Sequence, residues 1–110
     1  MSMGKGVSMA EGVTITIDMT IRPDMAEQVI AAIPAMFEDT ARFPGFRSIR
    51  VVRHKDAANR LLIVERWDRE EDYRAYQEWR NRDGAMDAAH QALEAYDMQV
   101  WAAEVGEAVA

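Results

Sequence analysis

The 110-residue sequence has no cysteine. Disulfides, thiol nucleophiles, thiolate zinc sites and iron–sulfur ligation are therefore excluded. Only two histidines are present, His54 and His90, and no metal site is expected from them. Long apolar runs are missing as well, since no stretch approaches the roughly 20 residues that span a bilayer. Positive charge is the scarcer sign: 13 Lys and Arg stand against 19 Asp and Glu, a net charge of −6. Such a surface repels a phosphate backbone, so no nucleic-acid partner is expected. The one basic cluster (Arg47, Arg50, Arg53, His54, Lys55) falls on a single strand and its exit turn, divided between two faces. It reads as rim charge. The start, Met1-Ser2-Met3-Gly4-Lys5-Gly6, lacks the apolar centre of a signal peptide. These absences point to a cytoplasmic protein with no membrane partner.

What is present is ordinary for one globular domain: 49% hydrophobic and 29% charged residues. Residues 1–12 are rich in Gly, Ser and Met without periodicity and read as a loose tail; 13–105 form the domain, and 106–110 fray. Val13, Ile15, Ile17, Met19 and Ile21 alternate with Thr14, Thr16, Asp18 and Thr20, the pattern of a strand. Pro23 opens a helix whose apolar stripe is Met25, Val29, Ile33, Met36 and Thr40, widened by Ile30 and Phe37. Pro34 should bend it, because proline removes the bond to the Ile30 carbonyl. Phe43-Pro44-Gly45 ends it. Strands follow at 46–54 and 61–67, joined by a polar turn over 55–60, and the run Leu61-Leu62-Ile63-Val64 suggests burial on both faces. Asp68 is placed as the N-cap of a second helix running to about Asn81, with Gly84 as a terminator. A short helix from Ala85 to about Leu93 and a strand over 97–105 complete the chain.

The order β-α-β-β-α-β is the α+β, ferredoxin-like unit with an antiparallel sheet. Its strands, the first most clearly, read as half-apolar on the face away from the helices. A single copy would leave that face wet, so a homodimer is expected.

From Val13 to Val105 the chain resembles the antibiotic biosynthesis monooxygenase domains, which are dimeric α/β barrels built from this unit. The marks that carry the resemblance are Thr20-Ile21-Arg22-Pro23, Phe43-Pro44-Gly45-Phe46, Val64-Glu65-Arg66-Trp67, and Tyr73, Tyr76, Trp79-Arg80 with Gly84 following. The resemblance implies a cofactor-free oxygenase for an electron-rich aromatic such as a phenol, quinol or polyketide-like ring, with dioxygen as co-substrate. Two alternatives stay open. One is a haem-binding or haem-degrading relative acting through His90 in Ala88-Ala89-His90; the other is a non-catalytic dimer that binds a small hydrophobe. Against the haem branch, Asp18 and Tyr76 stand where those relatives carry Asn and Trp, and His90 is displaced from the aromatic.

Candidate site residues follow. Asp18 sits mid-strand among threonines, either partly solvated or facing a dry pocket, where its pKa would rise and it could serve as a base. His90 follows a run of small residues that leaves room beside it, and is either a second base or a surface histidine. Tyr73, Tyr76 and Trp79 share a helix face and, with Trp67, form either a packed interface or the walls of a pocket. Tyr76 and Trp79 are the preferred pocket residues, with the Tyr76 hydroxyl available to orient an oxygen. Arg50 and Arg80 either hold an anionic group or make surface ion pairs. His54 is a rim residue, and Met36 and Phe37 fill the core.

Overall fold

A computed structural model describes residues 12–102 and 105 of the chain. The tails read at 1–12 and 106–110 thus lie, Gly12 apart, outside the described residues. In chain order the elements are β1 (Val13–Ile21), a 3-10 turn (Pro23–Met25), α1 (Ala26–Ala41), β2 (Phe46–His54) and β3 (Ala57–Trp67). Then come α2 (Glu70–Arg80), a second 3-10 turn (Arg82–Gly84), α3 (Ala85–His90) and β4 (Leu93–Trp101). The strands form one antiparallel sheet in the order β2-β3-β1-β4. This is the expected α+β, ferredoxin-like arrangement, with the short helix α3 added before the last strand. Among the described residues, no helix is long and apolar enough to cross a membrane.

Local chemistry explains the joints. The proline-fixed backbone of Pro23 starts the turn into α1, and α1 continues through Pro34, which is solvent-exposed. Phe46 N–H bonds back to Phe43 O at 3.2 Å, with Pro44 at the second position and Gly45 at φ 88° in the third. That is type II turn chemistry, and a Cβ on Gly45 would run into the Asp72 carboxyl. It leads α1 straight into β2 and rests the turn on the first turn of α2.

The sheet divides the molecule into two unlike sides. Ile15, Ile17, Met19 and Ile21 of β1 face the helices with Leu61, Ile63 and Trp67 of β3. One core cluster contains Ile15, Ile17, Ile63, Trp67, Tyr73 and Tyr76; a second contains Ile21, Ala26, Ile33 and Leu61. The apolar stripe of β1 therefore lies under the helices, not on the open face as its pattern suggested. Alternation fixes which residues share a side but not which side is covered. The open face instead carries Thr14, Thr16, Asp18 and Thr20, with Val52, Leu62 and Trp101 exposed at 46%, 39% and 54%. The Leu61–Val64 run is thus buried on one face only, with Leu62 outward.

Other boundaries shift for physical reasons. β3 begins at Ala57, so the turn before it is tighter than read; His54 Nδ1 accepts the Asp56 N–H within it. β4 begins at Leu93 and ends at Trp101, because a bulge between Thr20 and Ile21 lets Leu93 pair with Ile21. Asp68 is not a cap. Arg69 holds the N-cap position without a side-chain bond, and Asp68 pairs with Arg47 at 2.6 Å.

Candidate functional site

A cavity of about 380 Å³ lies between the helices and the sheet, bordering both core clusters. Its walls come from β1 (Ile17, Met19), α1 (Val29, Ile33, Met36), α2 (Tyr73, Tyr76, Arg80), α3 (Met86, Ala89, His90) and β4 (Leu93, Tyr96). Met36 and Phe37, expected to fill the core, line this space. Methionines on several walls give it an adaptable apolar surface.

One corner is polar, and Glu65 of β3 occupies it. Glu65 is only 4% exposed, one of two buried polar residues among those described. It lies on the helix side of the sheet, opposite Ile15 and Ile49. Its Oε1 accepts the Trp67 indole N–H at 2.9 Å. Burial pushes its pKa above the ordinary carboxylate range, while the indole bond and the charge of Arg80 pull the other way and only partly offset it. Tyr73 and Tyr96 stand close enough to feel Glu65; burial, first, and that carboxylate, second, raise both phenols above their usual pKa. Neither hydroxyl is hydrogen-bonded to another described residue, and both side chains line the cavity. The corner therefore combines a buried carboxyl with two unused phenolic donors.

The neighbouring polar groups are already engaged. Arg80 donates Nε–H to Tyr76 Oη at 2.9 Å and donates from its terminal nitrogen to Met36 O at 2.6 Å and Thr40 Oγ1 at 3.2 Å. Another terminal nitrogen lies 3.9 Å from Asp39. Thr40 gives its own proton to Met36 O at 3.0 Å, so the 2.8 Å contact between Thr40 and Tyr76 uses the tyrosine proton. The Tyr76 hydroxyl is thus not available to orient a substrate, contrary to its sequence reading. Arg80, with 14% of its side chain exposed, is a clamp between α1 and α2 and not a surface ion pair.

The sequence-derived residues separate into three groups. Tyr73, Tyr76 and His90 border the cavity, and the His90 ring rests on Tyr96 with centroids 4.4 Å apart. Trp67 and Trp79 do not line it. Trp67 is fully buried in the core, and Trp79 packs on Phe43 with the guanidinium carbons of Arg80 and Arg82 at 5.1 and 4.1 Å from its ring centroid. Asp18 and Arg50 lie on the open face, across the sheet from the cavity. Asp18 is held by Arg60 through bonds of 3.0 and 2.7 Å, with 38% of its side chain exposed. The Arg60 hydrogen bond lowers its pKa, the reverse of what a base in a dry pocket requires. Glu65 was missed as a site residue. The available signal was its parity with Leu61, Ile63 and Trp67, which makes it the one carboxylate on the apolar side of β3.

A second depression, along Glu70, Arg74 and Glu78 of α2, is open and charged. Among the described residues no cluster of His, Asp or Glu has the geometry to hold a metal.

The antibiotic biosynthesis monooxygenase family model matches residues 12–96. Solved structures share the fold at low identity. A conserved Methanosarcina mazei protein is 12% identical with a TM-score of 0.76, over 90% of this chain and 98% of its own. A proposed antibiotic biosynthesis monooxygenase from Deinococcus radiodurans is 17% identical with a TM-score of 0.74, over 89% and 96%. A Mycobacterium tuberculosis protein is 23% identical with a TM-score of 0.66, over 88% and 98%. No curated protein matches the sequence.

Proposed function

Since the chain belongs to the antibiotic biosynthesis monooxygenase family, we propose that it is a cofactor-independent oxygenase of a small electron-rich aromatic, such as a phenol or quinol, with Glu65 as the base. The observation that carries this reading is the buried Glu65 carboxyl at the polar corner of an apolar cavity. A carboxylate whose pKa is raised toward neutrality is a better proton acceptor than one in water.

Glu65 takes the hydroxyl proton of the substrate. The phenolate then transfers one electron to dioxygen, and the resulting radicals join to form a carbon–oxygen bond. Protonated Glu65 returns its proton to the distal peroxide oxygen. Loss of the proton on the oxygenated carbon, again to Glu65, breaks the O–O bond and leaves a ring carbonyl. The departing hydroxide takes that proton and leaves as water. One oxygen atom enters the ring, the other becomes water, and Glu65 is restored. Tyr73 and Tyr96 donate to the substrate oxygen as charge develops on it. His90, at the wall beside Tyr96, positions that tyrosine.

Haem, the alternative raised by the sequence, fits these residues poorly. The His90 ring lies against Tyr96, and Arg80, the one guanidinium on the described wall, is already engaged by Tyr76, Met36 O, Thr40 and Asp39. The open sheet face, with Val52, Leu62 and Trp101 exposed, supports a homodimer.

Dissolved-oxygen uptake by the full chain against a panel of naphthols, quinols and anthrones tests the reading. Substrate-dependent uptake that collapses in Glu65→Gln is expected. Uptake unaffected by that substitution, or flat traces across the panel, would remove it.

A further inference from the structure

The cavity wall is unusual in its charge. Its one acidic side chain is Glu65, and its one Arg or Lys is Arg80. Three of its five N–H groups are taken by Tyr76, Met36 O and Thr40, and its other terminal nitrogen is ion-paired with Asp39 at 3.9 Å. Its charge is thus shared between Asp39 and Glu65, and no second Arg or Lys lines the cavity among the described residues. What the corner offers is hydrogen bonding alone: the second oxygen of Glu65 and the hydroxyls of Tyr73 and Tyr96. The opposite end, at Met25, Val29, Ile33 and Leu93, is purely apolar.

We propose that this cavity selects its ligand by charge. It takes a neutral ring bearing a hydroxyl or carbonyl, oxygen end against Glu65, Tyr73 and Tyr96, and rejects a carboxylate of the same shape. This rests on the cavity of the proposed function as the ligand site, but not on the reaction. A neutral hydroxyl donates to Glu65 while accepting from a tyrosine, so every polar atom in the corner is satisfied. A carboxylate loses its water, finds only an Arg80 already shared with Asp39 and Glu65, and faces a second carboxyl. The same corner accounts for the direction of entry, because only the apolar end can receive the hydrocarbon part of the ring.

The test is anaerobic titration of the full chain with 2-naphthol and with 2-naphthoate at pH 7.5, by calorimetry and by intrinsic tryptophan fluorescence. The two probes share a ring and differ in charge. The naphthol is expected to bind at least about tenfold tighter, the scale of a poorly compensated buried charge. In Glu65→Gln, which keeps the size and the indole bond, the gap is expected to shrink several-fold because naphthoate gains. Asp18→Asn, on the opposite face of the sheet, is expected to leave the gap in place. Naphthoate binding as tightly as naphthol would overturn the proposal, as would a gap indifferent to Glu65→Gln or one that Asp18→Asn abolishes. Binding of neither probe would overturn it together with the site it rests on. Selective naphthol binding with no oxygen uptake would remove the oxygenase and leave the charge selection standing.

Discussion

Two carboxylates sit on adjacent strands of one sheet and have opposite fates. Asp18 projects from β1 to the open face, where Arg60 grips it with two bonds and lowers its pKa. Glu65 projects from β3 to the helix side, where burial raises its pKa and a single indole N–H accompanies it. The residue types are nearly the same. The difference is the parity of each position relative to the layer of helices, and it sets one group to hold a strand pair and the other at the wall of the cavity. Distance from a cation decides the first case, and desolvation decides the second.

Several measurements sharpen or break this contrast. The largest effect belongs to oxygen uptake. Glu65→Gln is expected to lower kcat/KM about a hundredfold or more, the usual contribution of a general base, while Asp18→Asn changes it less than about twofold. A comparable loss in Asp18→Asn would reverse the assignment.

The pH dependence comes next. Glu65 must be ionised to accept a proton, so kcat/KM rises with pH through a single ionisation above the ordinary carboxylate range, and Glu65→Gln is flat there. Replacing Trp67 with Phe removes the one hydrogen bond known to favour the Glu65 carboxylate. That limb should then move to higher pH, which steady-state profiles would register.

Stability gives smaller effects of opposite sign. The folded state raises the pKa of Glu65 above its unfolded value of about 4.3, so it holds the proton more tightly than the unfolded chain. Stability is complete below that value and falls as pH rises through the folded pKa. Glu65→Gln should therefore stabilise the protein by roughly 1 kcal/mol at pH 8 and leave it little changed at pH 4. Asp18 works the other way. Its folded pKa is lowered, so its contribution is present above about pH 4 and is lost as pH falls through the folded value. Because the pair is exposed, Asp18→Asn should lower Tm by no more than about 2 °C at pH 7, with the difference vanishing in acid. Thermal melts of both variants from pH 3 to 9 check the two signs together.

The same contrast marks how far the sequence could be read. Alternation in β1, the Pro23 helix entry and the Phe43-Pro44-Gly45 turn are local signals, and each corresponds to an element of the fold. The order of elements then fixed the topology. What alternation does not carry is which side of the sheet the helices cover. That depends on long-range packing, so the pattern leaves Asp18 either solvated or facing a pocket, and it lies on the face away from the cavity. The aromatic positions on α2 share a face as their spacing implies, yet Trp79 is covered by two arginines outside the cavity while Tyr73 reaches it. The Tyr76 hydroxyl was lost to Thr40, a partner 36 residues away that no local pattern reveals. Glu65 was legible in principle. A charged residue in register with Leu61, Ile63 and Trp67 breaks the apolar parity of β3, and that break marks a carboxyl buried among apolar neighbours.

The most direct test is a carboxyl-carbon NMR titration of the 13C-labelled protein, resolving Glu65 and Asp18, with and without 2-naphthol. The account predicts that Glu65 titrates above the ordinary glutamate range and shifts on ligand binding. It predicts that Asp18 titrates below the ordinary aspartate range and does not respond. A Glu65 that titrates as an exposed glutamate, or a ligand response confined to Asp18, would contradict it.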